Sequence, residues 1–172
     1  MKFLLLLLLL LISLLSLPLY AAEDHCTYNF ADAKSIFDQN PKLYQNITPV
    51  NKDLKTKILT QTVTTHKGTV ITYKKGGCAH YAFSFLIRPR KLNTKKPEHI
   101  FIQALRELRA IPTADKSEIN ILNEALDRTK WKSIKFENGQ YNLSCGDATC
   151  TLKTIKVKGV ESDIEISYDF AL

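Results

Sequence analysis

Residues 78–87 read Cys-Ala-His-Tyr-Ala-Phe-Ser-Phe-Leu-Ile, and their parity decides the fold. Ala79, Tyr81, Phe83, Phe85 and Ile87 fall on one side of an extended chain, and Cys78, His80, Ala82, Ser84 and Leu86 on the other. The first set is bulky and apolar, which predicts a strand with that side against the core. Pro89 ends it. Downstream, the period changes. Pro97 suits the first turn of a helix. Phe101, Ala104, Leu105, Leu108 and Ile111 then recur at three- and four-residue intervals, with Gln103, Arg106, Glu107 and Arg109 opposite. Pro112 closes this helix. Asp115, followed three residues on by Glu118, has the form of a capping box. Ile119, Leu122, Ala125 and Leu126 supply the stripe of a second helix ending near Arg128.

Upstream of this stretch the period is two. Thr60 to Thr65 and Thr69 to Tyr73 are rich in β-formers, with His66-Lys67-Gly68 as the turn between them and Lys74-Lys75-Gly76-Gly77 as the turn that follows. Before them, Ala31 to Asp38 predicts a short helix with Phe30, Ala33, Ile36 and Phe37 on one side, and the chain loosens through Asn40-Pro41 and Pro49.

Alternation returns at Trp131. Ile134 to Phe136, Asn138-Gly139 and Tyr141 to Cys145 form a hairpin signal, because Asn-Gly favours the tight turn. Past Cys150 the apolar phase slips, which predicts a bulge near Lys153-Thr154. In the last strand Ile164, Ile166, Tyr168, Phe170 and Leu172 point inward, and Lys156 and Lys158 face Asp163 and Glu165 across the turn at Lys158-Gly159-Val160. The expectation is an α+β domain. Its antiparallel sheet has about six to seven strands, three before two helices and four after, with the helices on one face.

The first residues carry a different signal. Lys2 precedes an almost unbroken apolar run from Leu4 to Leu17. Pro18 breaks that run, and Tyr20-Ala21-Ala22 offers small residues for cleavage. This is the layout of a secretory signal peptide, 1–22, leaving 23–172 as one globular domain. Lys2 is the only charge in that segment, so the chain's +7 becomes +6 in the mature part. The mature part has no second long apolar stretch, which predicts no transmembrane segment after cleavage. Export would place Cys26, Cys78, Cys145 and Cys150 in an oxidising compartment, where an even number reads as disulfides. Cys145 and Cys150 flank Gly-Asp-Ala-Thr, a turn-like tetrapeptide, which pairs them and leaves Cys26 with Cys78. A zinc site is the competing use of four cysteines, but the spacing is loose.

Chemistry is sparse. Cys78 and His80 point the same way on a strand, the residue types of a cysteine nucleophile and its base. A disulfide at Cys78 would remove that nucleophile. His25, His66 and His99 are scattered and suggest no metal site, and nothing implies a cofactor. Arg88, Arg90, Lys91, Lys95 and Lys96 form a basic connector that could meet an anionic partner. Nucleic acid is not expected, since interleaved aromatics are missing. Asn46-Ile47-Thr48 and Asn142-Leu143-Ser144 are glycosylation triplets that matter only in a host that uses them. The reading is an exported, non-enzymatic domain that binds another macromolecule, a protein or an anionic envelope component, as an inhibitor or immunity-type protein does. The alternatives are an enzyme using Cys78 and His80, and an envelope-surface protein held by its basic connector.

Overall fold

A computed structural model describes residues 30–76, 80–91, 96–127, 135–157 and 160–171. The expected signal peptide at 1–22, Cys26, Cys78 and Lys95 lie outside them. The strands are β1 (Asn46–Ile47), β2 (Asn51–Asp53), β3 (Ile58–Thr64), β4 (Val70–Gly76) and β5 (His80–Arg88), then β6 (Gln140–Cys145), β7 (Ala148–Val157) and β8 (Val160–Ala171). Two helices, α1 (Pro97–Arg109) and α2 (Ser117–Asp127), separate the groups.

All eight strands join one antiparallel sheet in the order β1-β3-β4-β5-β8-β7-β6, with β2 beside β1 on the outer edge of β3. Two meanders, β3-β4-β5 and β6-β7-β8, therefore meet where β5 pairs with β8. The α+β reading holds.

Register aligns the apolar parity of every long strand on one face. Val63, Ile71, Ile87 and Ile164 form one row, and Phe85, Ile166, Leu152 and Tyr141 lie in the next. Phe101, Ala104, Leu105 and Leu108 of α1 and Ile119 and Leu122 of α2 close over these rows in a single buried cluster. Phe101 meets Tyr141 edge-on at 5.5 Å. Arg109 ties the helices together, donating through Nε to Asn123 Oδ1 at 2.9 Å and through a terminal nitrogen to Asp127 Oδ1 at 2.8 Å.

Several expectations change at the level of elements. Residues 31–38 form no helix beyond a 3-10 turn at Phe30–Asp32, although Phe30, Ala33, Ile36 and Phe37 are all buried as their pattern implied. Phe37 instead bridges to Thr113, and its ring packs edge-on against Tyr73 at 6.0 Å. Lys74, Lys75 and Gly76 are not a turn but the end of β4. The Asn138-Gly139 turn has positive φ at both residues, 52° and 80°, as a type I′ turn requires. Of its first arm, Ile134 lies outside the described residues; Glu137 bridges to Gln140, and the Phe136 ring lies 4.9 Å from Tyr141.

The bulge also moves. Ile155 pairs with Asp163 but Lys156 pairs with Glu161, so the extra residue is Ser162 on β8, beyond the predicted site on β7. Lys153, not Lys156, therefore faces Glu165. Lys158 lies outside the described residues.

Asp115 accepts the Ser117 N–H at 2.8 Å, two residues on, which caps the start of α2 without the three-residue bond of a capping box. Glu118 does not complete it. Its carboxylate turns into the core, accepting Tyr73 Oη–H at 2.6 Å and Lys75 Nζ at 2.7 Å. A buried carboxylate needs such partners more than a helix end needs a second cap.

Candidate functional site

The other face of the sheet is the candidate site. No described element covers it. Its parity brings four polar rows together: Thr64, Val70, Arg88, Asp163 and Ile155; Thr62, Thr72, Leu86, Glu165 and Lys153; Thr60, Lys74, Ser84, Ser167 and Thr151; and Ile58, Gly76, Ala82, Asp169 and Thr149. Hydroxyls dominate, and the Thr62 and Thr72 hydroxyls hydrogen-bond to each other at 2.9 Å. The charges balance, with Lys74, Arg88 and Lys153 against Asp163, Glu165 and Asp169. A chain of net charge +7 thus carries a neutral open face.

Small side chains make a dent in it. Gly76 and Ala82 are register partners, as are Ser84 and Ser167. They lie in a pocket of about 330 Å³ that Ile58, Lys74, Glu165 and Asp169 also line. This is at the small end of ligand-sized cavities, enough for one side chain of a partner. Gly76 has a second duty. A Cβ there would lie 2.3 Å from the Lys57 carbonyl oxygen, so only glycine lets the β2–β3 turn close over the end of the pocket.

Arg88 does not stand as a free cation. Its guanidinium makes a forked pair with Asp163, Nε to Oδ1 at 2.7 Å and a terminal nitrogen to Oδ2 at 2.6 Å. Hydrogen bonding to that carboxylate holds the Arg88 pKa above its ordinary value. Asp163 is buried on a face that is otherwise mostly half-buried, which the pair makes tolerable.

The remaining predicted site residues are dispersed. The side chain of Arg90 lies alongside Gly68, where a Cβ would meet its Cδ at 3.2 Å. Lys91 is exposed, and its carbonyl accepts the Gln103 side-chain amide at 2.8 Å. Lys96 is the N-cap position of α1. The connector therefore supplies no single row of cations among the described residues.

His80 is placed by register alone, at the start of β5 opposite Ala171. His66 Nε2 lies 3.2 Å from the Lys42 carbonyl, and His99 Nε2 lies 3.8 Å from Glu98 in the first turn of α1. Among the described residues no three His, Cys, Asp or Glu side chains gather as a metal site.

Cys145 and Cys150 form the expected disulfide, with Cα atoms 5.8 Å apart. They sit diagonally across the β6–β7 hairpin, since Cys145 pairs with Ala148 and Leu143 with Cys150. The turn itself is only Gly146-Asp147, with φ of 72° at the glycine.

No protein-family model, no curated protein and no solved structure matches the chain.

Proposed function

We propose that the mature domain is an exported, non-enzymatic binding protein that receives another protein on the open face of its sheet, in the manner of an inhibitor or immunity protein. The observation that carries this reading is the pocketed, charge-balanced face itself. Half-buried Val70, Leu86 and Ile155 are spread through hydroxyl-bearing neighbours, a mixture close to the average composition of protein–protein contacts. The pocket floored by Gly76, Ala82 and Ser84 offers a place for one anchoring side chain of the partner. Balanced charge argues against a polyanion as the ligand of this face, because such ligands are bound by an excess of cations.

The test is affinity capture from the host envelope with mature protein, comparing Ser84→Arg with Ile121→Asp. The first fills the pocket from its floor. The second changes an exposed residue of α2, on the covered side. A partner recovered by the parent chain and by Ile121→Asp, but lost with Ser84→Arg, supports the reading. Equal recovery by both variants overturns it, provided circular dichroism shows both folded.

A further inference from the structure

The four residues between β2 and β3 form a projecting tip unlike the rest of the surface. Asp53 pairs with Ile58, and Leu54, Lys55, Thr56 and Lys57 make the turn. Leu54 at its end is 72 % exposed, the most exposed large apolar residue among those described, and Ile58 at its base is 38 % exposed. Lys55 and Lys57 follow the leucine in the turn, and Asp53 precedes it. Lys74 lies beside them, sharing the pocket rim with Thr56 and Ile58. Among the described residues none of these three lysines has a carboxylate partner. The nearby acids are Asp53, inside the turn, and Glu165 and Asp169 on the wall of the pocket formed by β8.

The tip is held in shape. Asp53 Oδ1 accepts the N–H of Lys55 at 2.9 Å and of Thr56 at 3.2 Å. Lys57 takes the left-handed conformation, φ 55°, that ends a four-residue hairpin loop. Its carbonyl rests on Gly76, where no side chain intervenes. A leucine this exposed gains nothing from folding, yet the backbone is fixed so as to present it.

We infer that this tip docks the domain on an anionic lipid surface, with Leu54 entering the headgroup–acyl boundary and Lys55, Lys57 and Lys74 facing the lipid phosphates. Charge complementarity selects an anionic partner. Shape selects a membrane over an acidic protein, because a narrow convex tip needs a matching cavity in a protein but none in a fluid bilayer. Burial of the apolar side chain and attraction of the basic cluster to anionic headgroups add in the membrane interface, which gives reversible binding. The tip shares Lys74 and Ile58 with the rim of the open-face pocket, but the two proposals are tested by different variants and either can fail alone.

The test is sedimentation of mature protein with phosphatidylcholine vesicles, with and without phosphatidylglycerol. The expected result is binding only to the anionic vesicles, weakened by salt. Lys55→Glu lowers the partition at least roughly fivefold, the effect of one lysine near an anionic surface. Leu54→Asp lowers it roughly tenfold or more. Arg90→Glu with Lys91→Glu, in the connector, leaves it within about twofold. Leu54→Trp gives a blue-shifted, enhanced emission on adding anionic vesicles. The inference is overturned if the parent chain ignores anionic vesicles, if Leu54→Asp binds like the parent, or if binding is lost through the connector pair instead. Both Leu54 and Lys55 are exposed, so folding of their variants is checked by thermal melts against the parent.

Discussion

Gly76 shows how one missing side chain serves two surfaces. It deepens the pocket on the open face and admits the Lys57 carbonyl at its edge. Gly76→Ala sets a methyl against backbone, which cannot rotate away. Stability is expected to fall by about 1–3 kcal/mol in denaturant unfolding, the range for overpacking. The sequence reading took Gly76 for part of a turn, since Lys-Lys-Gly-Gly has turn composition. What it could not see was that the glycine answers a carbonyl nearly twenty residues upstream. Ala82 and Ser84 were more legible. Their outward parity was read from the alternation of 78–87, and only their pairing with Gly76 and Ser167 across strands, which makes the pocket, needed the structure.

At the scale of elements, the pieces with strong periodicity were read well. Phe83, Phe85 and Ile87 on β5, the stripe of α1, and Ile119 and Leu122 of α2 are buried as expected, and Ala125 is half-buried. Errors fell where a residue had a use outside its own element. Glu118 was read as a helix cap because the Asp-x-x-Glu spacing is local, but the core offered it Tyr73 and Lys75. Residues 31–38 have a helical pattern of apolar positions and yet wrap the core without a helix, since burial rewards position and not hydrogen-bond type. The buried Glu118 contact joins α2 to the sheet. Glu118→Ala is expected to cost about 2–4 kcal/mol, because it breaks a largely buried ion pair. Replacing Glu118 and Lys75 together by methionine should recover at least half of that loss, as apolar substitutes often match a buried pair. If the double replacement is as unstable as Glu118→Ala, the contact acts through something other than the pair.

For the whole molecule, stability should have limits in acid and in alkali set by identifiable groups. Backbone N–H groups, that of Thr56 first, hold the Asp53 carboxyl below its ordinary value of 3.8, and the Ser117 N–H does the same for Asp115. The folded chain keeps these groups ionised where the unfolded chain would protonate them. Their contribution is therefore complete above pH 3.8 and is lost as pH falls through their lowered values. Tyr44 works in the opposite direction. Its hydroxyl donates to the Pro112 carbonyl, and burial pushes its pKa from 10.0 up to about 12. The folded state thus holds a proton that the unfolded state releases. That share of stability is full below pH 10 and disappears as pH rises to 12. Unfolding midpoints measured across this range should show the alkaline decline in the parent chain and less of it in Tyr44→Phe. A decline of equal size in Tyr44→Phe would assign it elsewhere.

The position of β8 has a consequence in time. It follows the other seven described strands in chain order, yet it occupies the middle of the sheet between β5 and β7. A growing chain can form β3-β4-β5 early, but this meander waits with its inner edge unpaired until residues 160–171 emerge. The α1–α2 segment and the second meander must be synthesised before the gap can close, so completion depends on a contact between distant parts of the chain. A ribosome that stalls before β8 leaves a sheet open at its centre, where loss of an outer strand would leave one merely narrower. Such a nascent chain stays unfinished and easily unwound until β8 has been made.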